Sequence, residues 1–189
     1  GGTLRRNMSK FTDEVDLQTG QFKSSVKGVV ANIDAQRVIG FNGSQYNDCS
    51  WITDGPISAK PDPSICAMWG NPIGEMMFEA MRYFAGATGP HSTFTYGSGS
   101  KDEKLGLSKP DWVSPYKAKA DGGGGYQHCA RPVVTVLSDI NPSYDFKLPG
   151  SRYQSIAADA AGLGGFNATT ELQAIGAAEG INGKNFFIG

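Results

Sequence analysis

The sequence predicts an α/β fold with long loop insertions, and three observations support this. An amphipathic helix is expected over 71–84, and the apolar run over 132–137 has the composition of a buried strand. The chain also holds 26 Gly and 10 Pro among 189 residues, so loops should be long. The length fits a single domain over 1–189 with a core of its own, and 85–130 is expected to be a long loop insertion.

The helix over 71–84 has the strongest signal in the chain. Asn71 can cap a helix with its side-chain oxygen, and Pro72 suits the first helical position because its missing N–H costs nothing there. Glu75, Glu79 and Arg82 are expected on the exposed side, where the two carboxylates would have no cleft to work in. The apolar residues that recur at the spacing of one buried face are Ile73, Met76, Met77, Ala80, Met81 and Phe84.

Weaker patterns surround this helix. A short hairpin is expected at Thr19–Gly20, then a helix from Ser25 toward Ile39 and the start of a strand at 38–41. Toward the end of the chain, short helices are expected over 155–161 and 172–178, and a strand over 185–188. Because the last of these lies in an apolar run that the sequence cuts off, we expect the 189 residues to be an excerpt of a longer polypeptide.

The segment 85–130 has no clear period, which inside a compact domain indicates a functional or a disordered loop. Aromatic residues alternate with lysines along this segment, and the aromatic ones include Tyr96, Trp112 and Tyr116. Such rings can stack on sugars or on a partner surface, which would make this a ligand-contact loop. The alternative is that they anchor a long loop to its own core.

The run over 132–137 is short, apolar and β-branched, as in a strand buried on both faces of a parallel sheet. Oxygen-bearing side chains crowd the segment that follows it, 138–145, and Asp139 is the first carboxylate among them. Ligands gather at the carboxyl ends of such strands, and magnesium and calcium prefer oxygen ligands. The same residues also suit an Asx turn around Pro142, so both interpretations stay open.

The chain has three cysteines. Cys49 and Cys66 flank a short Asp/Gly/Pro-rich loop and suit a disulfide, worth about 3 kcal/mol on the loop-entropy model, although two unrelated reduced thiols are the alternative. Cys129 is left over, either as a buried thiol or with a partner elsewhere. No C-x-x-C pair occurs, so a structural zinc site has little support.

Charge and motifs exclude several classes of function. The net charge is −1, without a like-charge block, so neither nucleic acid nor an anionic membrane is an expected partner. No apolar run is long enough for a transmembrane segment. The sequence has no G-x-S-x-G elbow, Walker loop or H-E-x-x-H motif, so we expect a protein that is not an enzyme.

Taken in order, the segments 48–53, 66–84 and 129–145 resemble the PilC/PilY family of type IV pilus tip-associated adhesins and biogenesis factors. The resemblance covers most of the chain, and the chain is similar to the amino-terminal von Willebrand factor A-like region of that family. It implies a partial von Willebrand factor A-like doubly wound sheet, exported to the pilus tip or outer membrane. Its implied role is in pilus assembly, pilus extension and surface adhesion. The implied partners are other pilus-tip or minor pilin proteins and host or abiotic surface ligands.

The resemblance also implies a divalent cation, magnesium or calcium, held between loops of the sheet. Asp139 would supply the carboxylate that ends the buried strand, and Asn71 would stand near the place of the family's threonine. No Asp-x-Ser-x-Ser loop occurs in the chain, and two ligands are too few for a cation that takes six or more. We therefore expect these 189 residues to bind metal weakly or not at all. The alternative functions are a structural extracellular module without a ligand and, less favoured, a carbohydrate-active enzyme domain using Asp139.

Overall fold

The computed structural model describes residues 2–36, 71–98, 100–138, 145–158 and 162–184. The chain divides into two compact units. Unit 1 comprises Gly1–Gly2, Val38–Phe78 and Thr135–Gly189, and unit 2 comprises Thr3–Arg37 and Glu79–Val134. The division falls between Phe78 and Glu79, so the helix predicted over 71–84 contributes its first half to unit 1 and its second half to unit 2.

Helices are the main regular structure of the described residues. They are α1 (Val29–Ala35), α2 (Ile73–Phe84), α3 (Lys101–Lys104) and α4 (Ala168–Ala178), with 3₁₀ turns at Phe11–Asp13, Ser92–Phe94 and Lys119–Asp121. Across the described ranges, β structure is limited to the isolated bridges Val15–Phe22 and Pro149–Ile156. The doubly wound sheet therefore stays a prediction.

The predicted helix over 71–84 is confirmed, but the prediction of its buried face is wrong. Met76 and Met81 are 52% and 49% exposed, whereas Glu75 is only 1% exposed and Glu79 3%. Arg82 is buried as well. Their polarity assigned the charged residues to water, but each of them has partners in the fold that satisfy its charge, as described below.

Three of the weaker predictions are confirmed in the described residues. The hairpin forms one antiparallel bridge, Val15–Phe22, with Gly20 at φ +71° in its turn. Helix α1 lies inside the segment predicted from Ser25 toward Ile39, and α4 contains the predicted 172–178. Residues 155–158 are not helical. The strands predicted at 38–41 and 185–188 lie outside the described residues.

The predicted buried strand is absent at 132–137. These residues form no strand, and Val133 and Leu137 are 85% and 86% exposed. A β-branched run becomes a strand only when a neighbouring strand takes its backbone hydrogen bonds, and no described segment does so here.

Unit 2 is held together by polar side chains that reach across long sequence separations. Arg5 donates to the Tyr96 hydroxyl at 2.9 Å and to the Ser108 carbonyl oxygen at 3.1 Å, and it forms an ion pair with Asp102. Asn32 of α1 is buried and accepts from the Ser108 N–H at 2.8 Å. These contacts therefore join the amino-terminal segment to the predicted loop over 85–130 and hold that loop in place.

The start of α1 is capped by a carboxylate from outside the helix. Oε2 of Glu14, a buried residue, accepts from the Val29 N–H at 2.8 Å. A Cβ added at Gly28 would stand 1.9 Å from that oxygen, so only glycine lets the carboxylate come this close. The first turn of α1 thus depends on a residue 15 positions upstream of Val29.

Candidate functional site

The start of α2 in unit 1 is built from two carboxylates that cap each other's segments. Asp145 accepts from the Gly74 N–H through Oδ2 at 2.5 Å and from the Glu75 N–H through Oδ1 at 2.7 Å. In return, Glu75 Oε1 accepts from the N–H groups of Phe146 and Lys147 at 3.2 and 2.9 Å. We call these five residues the reciprocal cap. It works like a capping box whose capping side chain comes from about 70 residues away.

The electrostatics of the reciprocal cap explain why a glutamate can be buried here. The N-terminal end of a helix carries partial positive charge, which favours the Asp145 carboxylate lying on its free N–H groups. Glu75 is satisfied by backbone N–H groups of the incoming segment. A Cβ at Gly74 would stand 2.9 Å from Asp145 Oδ2, so this close approach requires glycine. The arrangement ties the segment after residue 144 to the first turn of α2.

The predicted cation site falls beside this cap but is only partly described. Ser138 Oγ donates to Asn71 Oδ1 at 2.6 Å, which brings the end of the apolar run to the start of α2. Asp139 follows directly in sequence and lies outside the described residues. Among the residues that are described, no group of three or more His, Cys, Asp or Glu side chains could hold a metal ion. The cation site remains a prediction.

In unit 2, the second half of α2 carries a buried ion pair. Arg82 Nη1 lies 2.7 Å from Glu79 Oε1, and the same carboxylate accepts from the His91 N–H at 3.1 Å. Arg82 also donates to the Gly89 carbonyl oxygen at 3.2 Å and lies over the Trp112 ring, 5.6 Å from its centre. Burial raises the pKa of Glu79, and the hydrogen bond from Arg82 opposes that rise. The pair therefore fixes the segment around 89–91 against Trp112.

A pocket of about 230 Å³ lies in unit 2 and is lined partly by this fixed segment. It brings together Tyr96 and Trp112, two of the three aromatic residues predicted for ligand contact. The third, Tyr116, does not line it: its ring stacks on His128 at 5.4 Å, and its hydroxyl donates to the Ala130 carbonyl oxygen. The other lining residues are Thr3, Leu4, Thr88, Gly89, Pro90, Phe94, Thr95, Lys109, Pro110 and Asp111.

The walls of the pocket are held by polar contacts. Lys109 Nζ donates to the Tyr96 carbonyl oxygen at 2.9 Å and lies 4.5 Å from the centre of the Tyr96 ring. Asn7 donates to the Asp111 carbonyl oxygen at 2.7 Å and accepts from the Val113 N–H at 2.9 Å. These contacts hold the residues that line the pocket in place.

The predicted disulfide cannot be placed, because Cys49 and Cys66 both lie outside the described residues. Cys129 is a free thiol, and it is exposed. It is therefore not the buried thiol that the sequence allowed, and the alternative, a bridge to a partner beyond the ends of this sequence, stays a prediction.

Sequence reasoning missed the charged residues that organise both halves of α2. A signal was present, because Glu75, Phe78, Glu79, Arg82 and Tyr83 recur at i, i+3, i+4, i+7 and i+8 just as the methionine face does. Phe78 and Tyr83 are each 3% exposed, so this second stripe is the buried one. Asp145 ends the oxygen-rich segment 138–145, and nothing local to it indicates contact with a helix about 70 residues upstream.

Comparison with known proteins identifies the family. A family model described as "PilY1 homolog, second domain" matches residues 1–189, so the chain belongs to the PilY1-homolog family and corresponds to that domain. A type IV pilus biogenesis factor, the PilY1 homolog of Xylella fastidiosa (strain Temecula1 / ATCC 700964), is 42% identical over 201 aligned residues. The alignment covers 100% of this chain and 13% of that relative. The resemblance predicted from the sequence is thus confirmed at the level of the PilY1-related family.

No solved structure matches the chain. Of the helices in the described residues, none has the length and apolar character needed to cross a membrane.

Proposed function

We propose that the chain is a domain of a longer protein that supports type IV pilus biogenesis. The observation that carries the proposal is the match to the PilY1-homolog family over all 189 residues, together with a relative named as a type IV pilus biogenesis factor. Because the chain spans 13% of that relative, pilus assembly and extension are roles of the whole polypeptide to which this domain contributes. The proposed role is not enzymatic.

The finer proposal is an exported domain that acts at the pilus tip or outer membrane and aids surface adhesion. Its proposed partners are other pilus-tip or minor pilin proteins and host or abiotic surfaces. We also propose that the chain forms part of a von Willebrand factor A-like doubly wound sheet. These proposals rest on the family resemblance of the segments 48–53, 66–84 and 129–145.

The experiment removes the reciprocal cap in the full-length protein of the source bacterium. Asp145→Ala deletes the carboxylate that holds two N–H groups of α2. The matched control is Asp121→Ala, because Asp121 is exposed and has no hydrogen bond of its side chain to a described residue. We expect fewer surface pili and weaker attachment with the first variant and no change with the second, at equal cellular protein levels. Unchanged pili in a strain that lacks the whole 189-residue segment would contradict the proposal.

The cation is proposed separately, with Asp139 and Asn71 as two of its ligands. The support is the 2.6 Å contact between Ser138 and Asn71, which brings the residue before Asp139 to the start of α2. The test is calorimetric titration of magnesium and calcium into the full-length protein and its Asp139→Ala variant, with Asp121→Ala as control. Binding lost only in Asp139→Ala supports a cation-dependent adhesive site, and binding unchanged in that variant rules out this ligand.

A structural module without a ligand is the second candidate, and one observation favours it. The apolar side chains of Val133 and Leu137 are almost fully exposed, which suits packing against another domain of the longer chain. In that case Val133→Ser with Leu137→Ser should lower the stability of the full-length protein, whereas Asp139→Ala should leave both stability and attachment unchanged.

A further inference from the structure

We propose that the pocket of unit 2 binds an extended, proline-containing peptide with a basic residue beside the proline. The first observation is the lining, which combines three aromatic side chains with two prolines: Phe94, Tyr96, Trp112, Pro90 and Pro110. Grooves lined by aromatic rings are the surfaces on which polyproline II segments dock, since flat rings pack well against pyrrolidine rings. This inference does not depend on the pilus role.

The second observation is an available hydrogen-bond donor. The indole N–H of Trp112 donates to no group among the described residues, although the ring itself is fixed by Arg82 and by Tyr83, 5.6 Å from each. A polyproline II segment has no internal hydrogen bonds, so all its carbonyl oxygens are free to accept. The indole N–H of Trp112, a donor among apolar rings, therefore suits a peptide carbonyl oxygen.

The third observation is charge. Asp111 is exposed, and its carboxylate has no ion-pair or hydrogen-bond partner in the described part of the chain, because only its backbone oxygen is engaged, by Asn7. The ammonium group of Lys109, also at the pocket, is already occupied by the Tyr96 carbonyl oxygen and ring. Of the two charged side chains that line the pocket, the Asp111 carboxylate is thus the one left without a contact to a described residue, and it favours a lysine or arginine in the ligand.

Size and rigidity fit the same ligand. A pocket of about 230 Å³ is smaller than most small-molecule sites and holds one or two side chains of a longer peptide. Its walls are held by contacts of the Glu79–Arg82 ion pair and of Asn7. A preformed site and a ligand that is already extended both reduce the entropy lost on binding.

The test is fluorescence polarisation with a labelled peptide and the full-length protein. The probe is acetyl-Lys-Pro-Pro-Pro-Pro-amide, and its matched control is acetyl-Lys-Ala-Ala-Ala-Ala-amide. We expect saturable binding of the first and much weaker binding of the second. Trp112→Phe keeps a ring but removes the indole N–H, and it should weaken binding by about fivefold, the worth of one neutral hydrogen bond. Tyr116→Phe also removes one polar group from an aromatic residue of unit 2, but outside the pocket, and should change nothing.

The charge is tested by Asp111→Asn. This variant should weaken binding of the lysine peptide by about two- to threefold at low salt and should make the remaining affinity insensitive to salt. Equal binding of both peptides, no saturable binding at millimolar concentrations, or binding that Trp112→Phe leaves unchanged would overturn the proposal. A free hexose that displaces the peptide in a Trp112-dependent manner would also overturn it, in favour of a sugar site. None of these outcomes bears on pilus number, so the two proposals can fail separately.

Discussion

Gly74→Ala in α2 tests the reciprocal cap most sharply, because its expected sign is opposite to the usual one. Replacing glycine by alanine inside a helix ordinarily stabilises it by up to about 1 kcal/mol. At position 74, however, the new Cβ would stand 2.9 and 3.0 Å from the two Asp145 carboxylate oxygens. The carboxylate must therefore move away, and both of its hydrogen bonds to the helix lengthen or break.

The magnitude follows from those two hydrogen bonds. They join a carboxylate to N–H groups at 2.5 and 2.7 Å, and an N-terminal cap contributes about 0.5–2 kcal/mol, with bonds to charged groups toward the upper end. We expect Asp145→Ala to lower the free energy of unfolding by about 2–3 kcal/mol. Gly74→Ala should lower it by about 1–2 kcal/mol in the wild type. In the Asp145→Ala background the clash is gone, so Gly74→Ala should be neutral or stabilising by up to about 1 kcal/mol.

The assay is urea denaturation of the wild type, both single variants and the double variant, followed by far-ultraviolet circular dichroism. Gly176→Ala in α4 is the matched control, because a Cβ there would meet nothing closer than 3.4 Å. The control should stabilise the protein by up to about 1 kcal/mol. If Gly74→Ala stabilises the wild type as Gly176→Ala does, or if Gly74→Ala and Asp145→Ala are simply additive, the cap does not operate as described.

Four further predictions concern other charged or reactive groups. Glu79→Ala should cost about 3–5 kcal/mol because it leaves Arg82 buried without its carboxylate, and a loss near zero in urea denaturation would contradict this. Burial raises the pKa of Glu79 in the folded state above the ordinary 4.5, so the folded protein binds a proton at this carboxylate more readily than the unfolded chain does. The contribution of Glu79 to the free energy of unfolding should therefore rise as pH falls from the folded-state pKa toward 4.5. Glu79→Gln should remove this pH dependence of stability, and an unchanged dependence would mean that another group causes it. Glu14→Ala should cost about 1 kcal/mol through the lost α1 cap, whereas Glu14→Gln, which keeps an acceptor oxygen, should cost less; equal losses would mean that the cap is not responsible. Thiol titration of native protein should find Cys129 reactive, with one thiol per denatured, unreduced chain if the predicted disulfide forms, and three if it does not.

The sequence was sufficient wherever structure depends on neighbours along the chain. The start of α2 near Asn71–Pro72, most of α4 and the Thr19–Gly20 turn were all predicted, because periodicity, proline and turn residues act within a few positions of each other. The side chain that holds the Gly74 and Glu75 N–H groups is that of Asp145, however, and not the predicted Asn71. The family was also recognisable from the sequence, because ordered segments over most of the chain carry it. For the site, Tyr96 and Trp112, two of the three aromatic residues predicted for ligand contact, line one pocket, and their contact with a ligand stays a prediction.

Only the tertiary structure decided which face of α2 is buried. Both the methionine stripe and the stripe of Glu75, Glu79 and Arg82 have helical spacing, so periodicity could not choose between them except by polarity. Polarity gave the wrong answer because a charged side chain can be buried once it has partners, and those partners come from Asp145's segment and from residue 91. The same reasoning applies to 132–137, whose composition suits a strand but which has no described neighbour to pair with. Local chemistry therefore determined where helices and turns begin and end, and long-range hydrogen bonds decided what those elements bury.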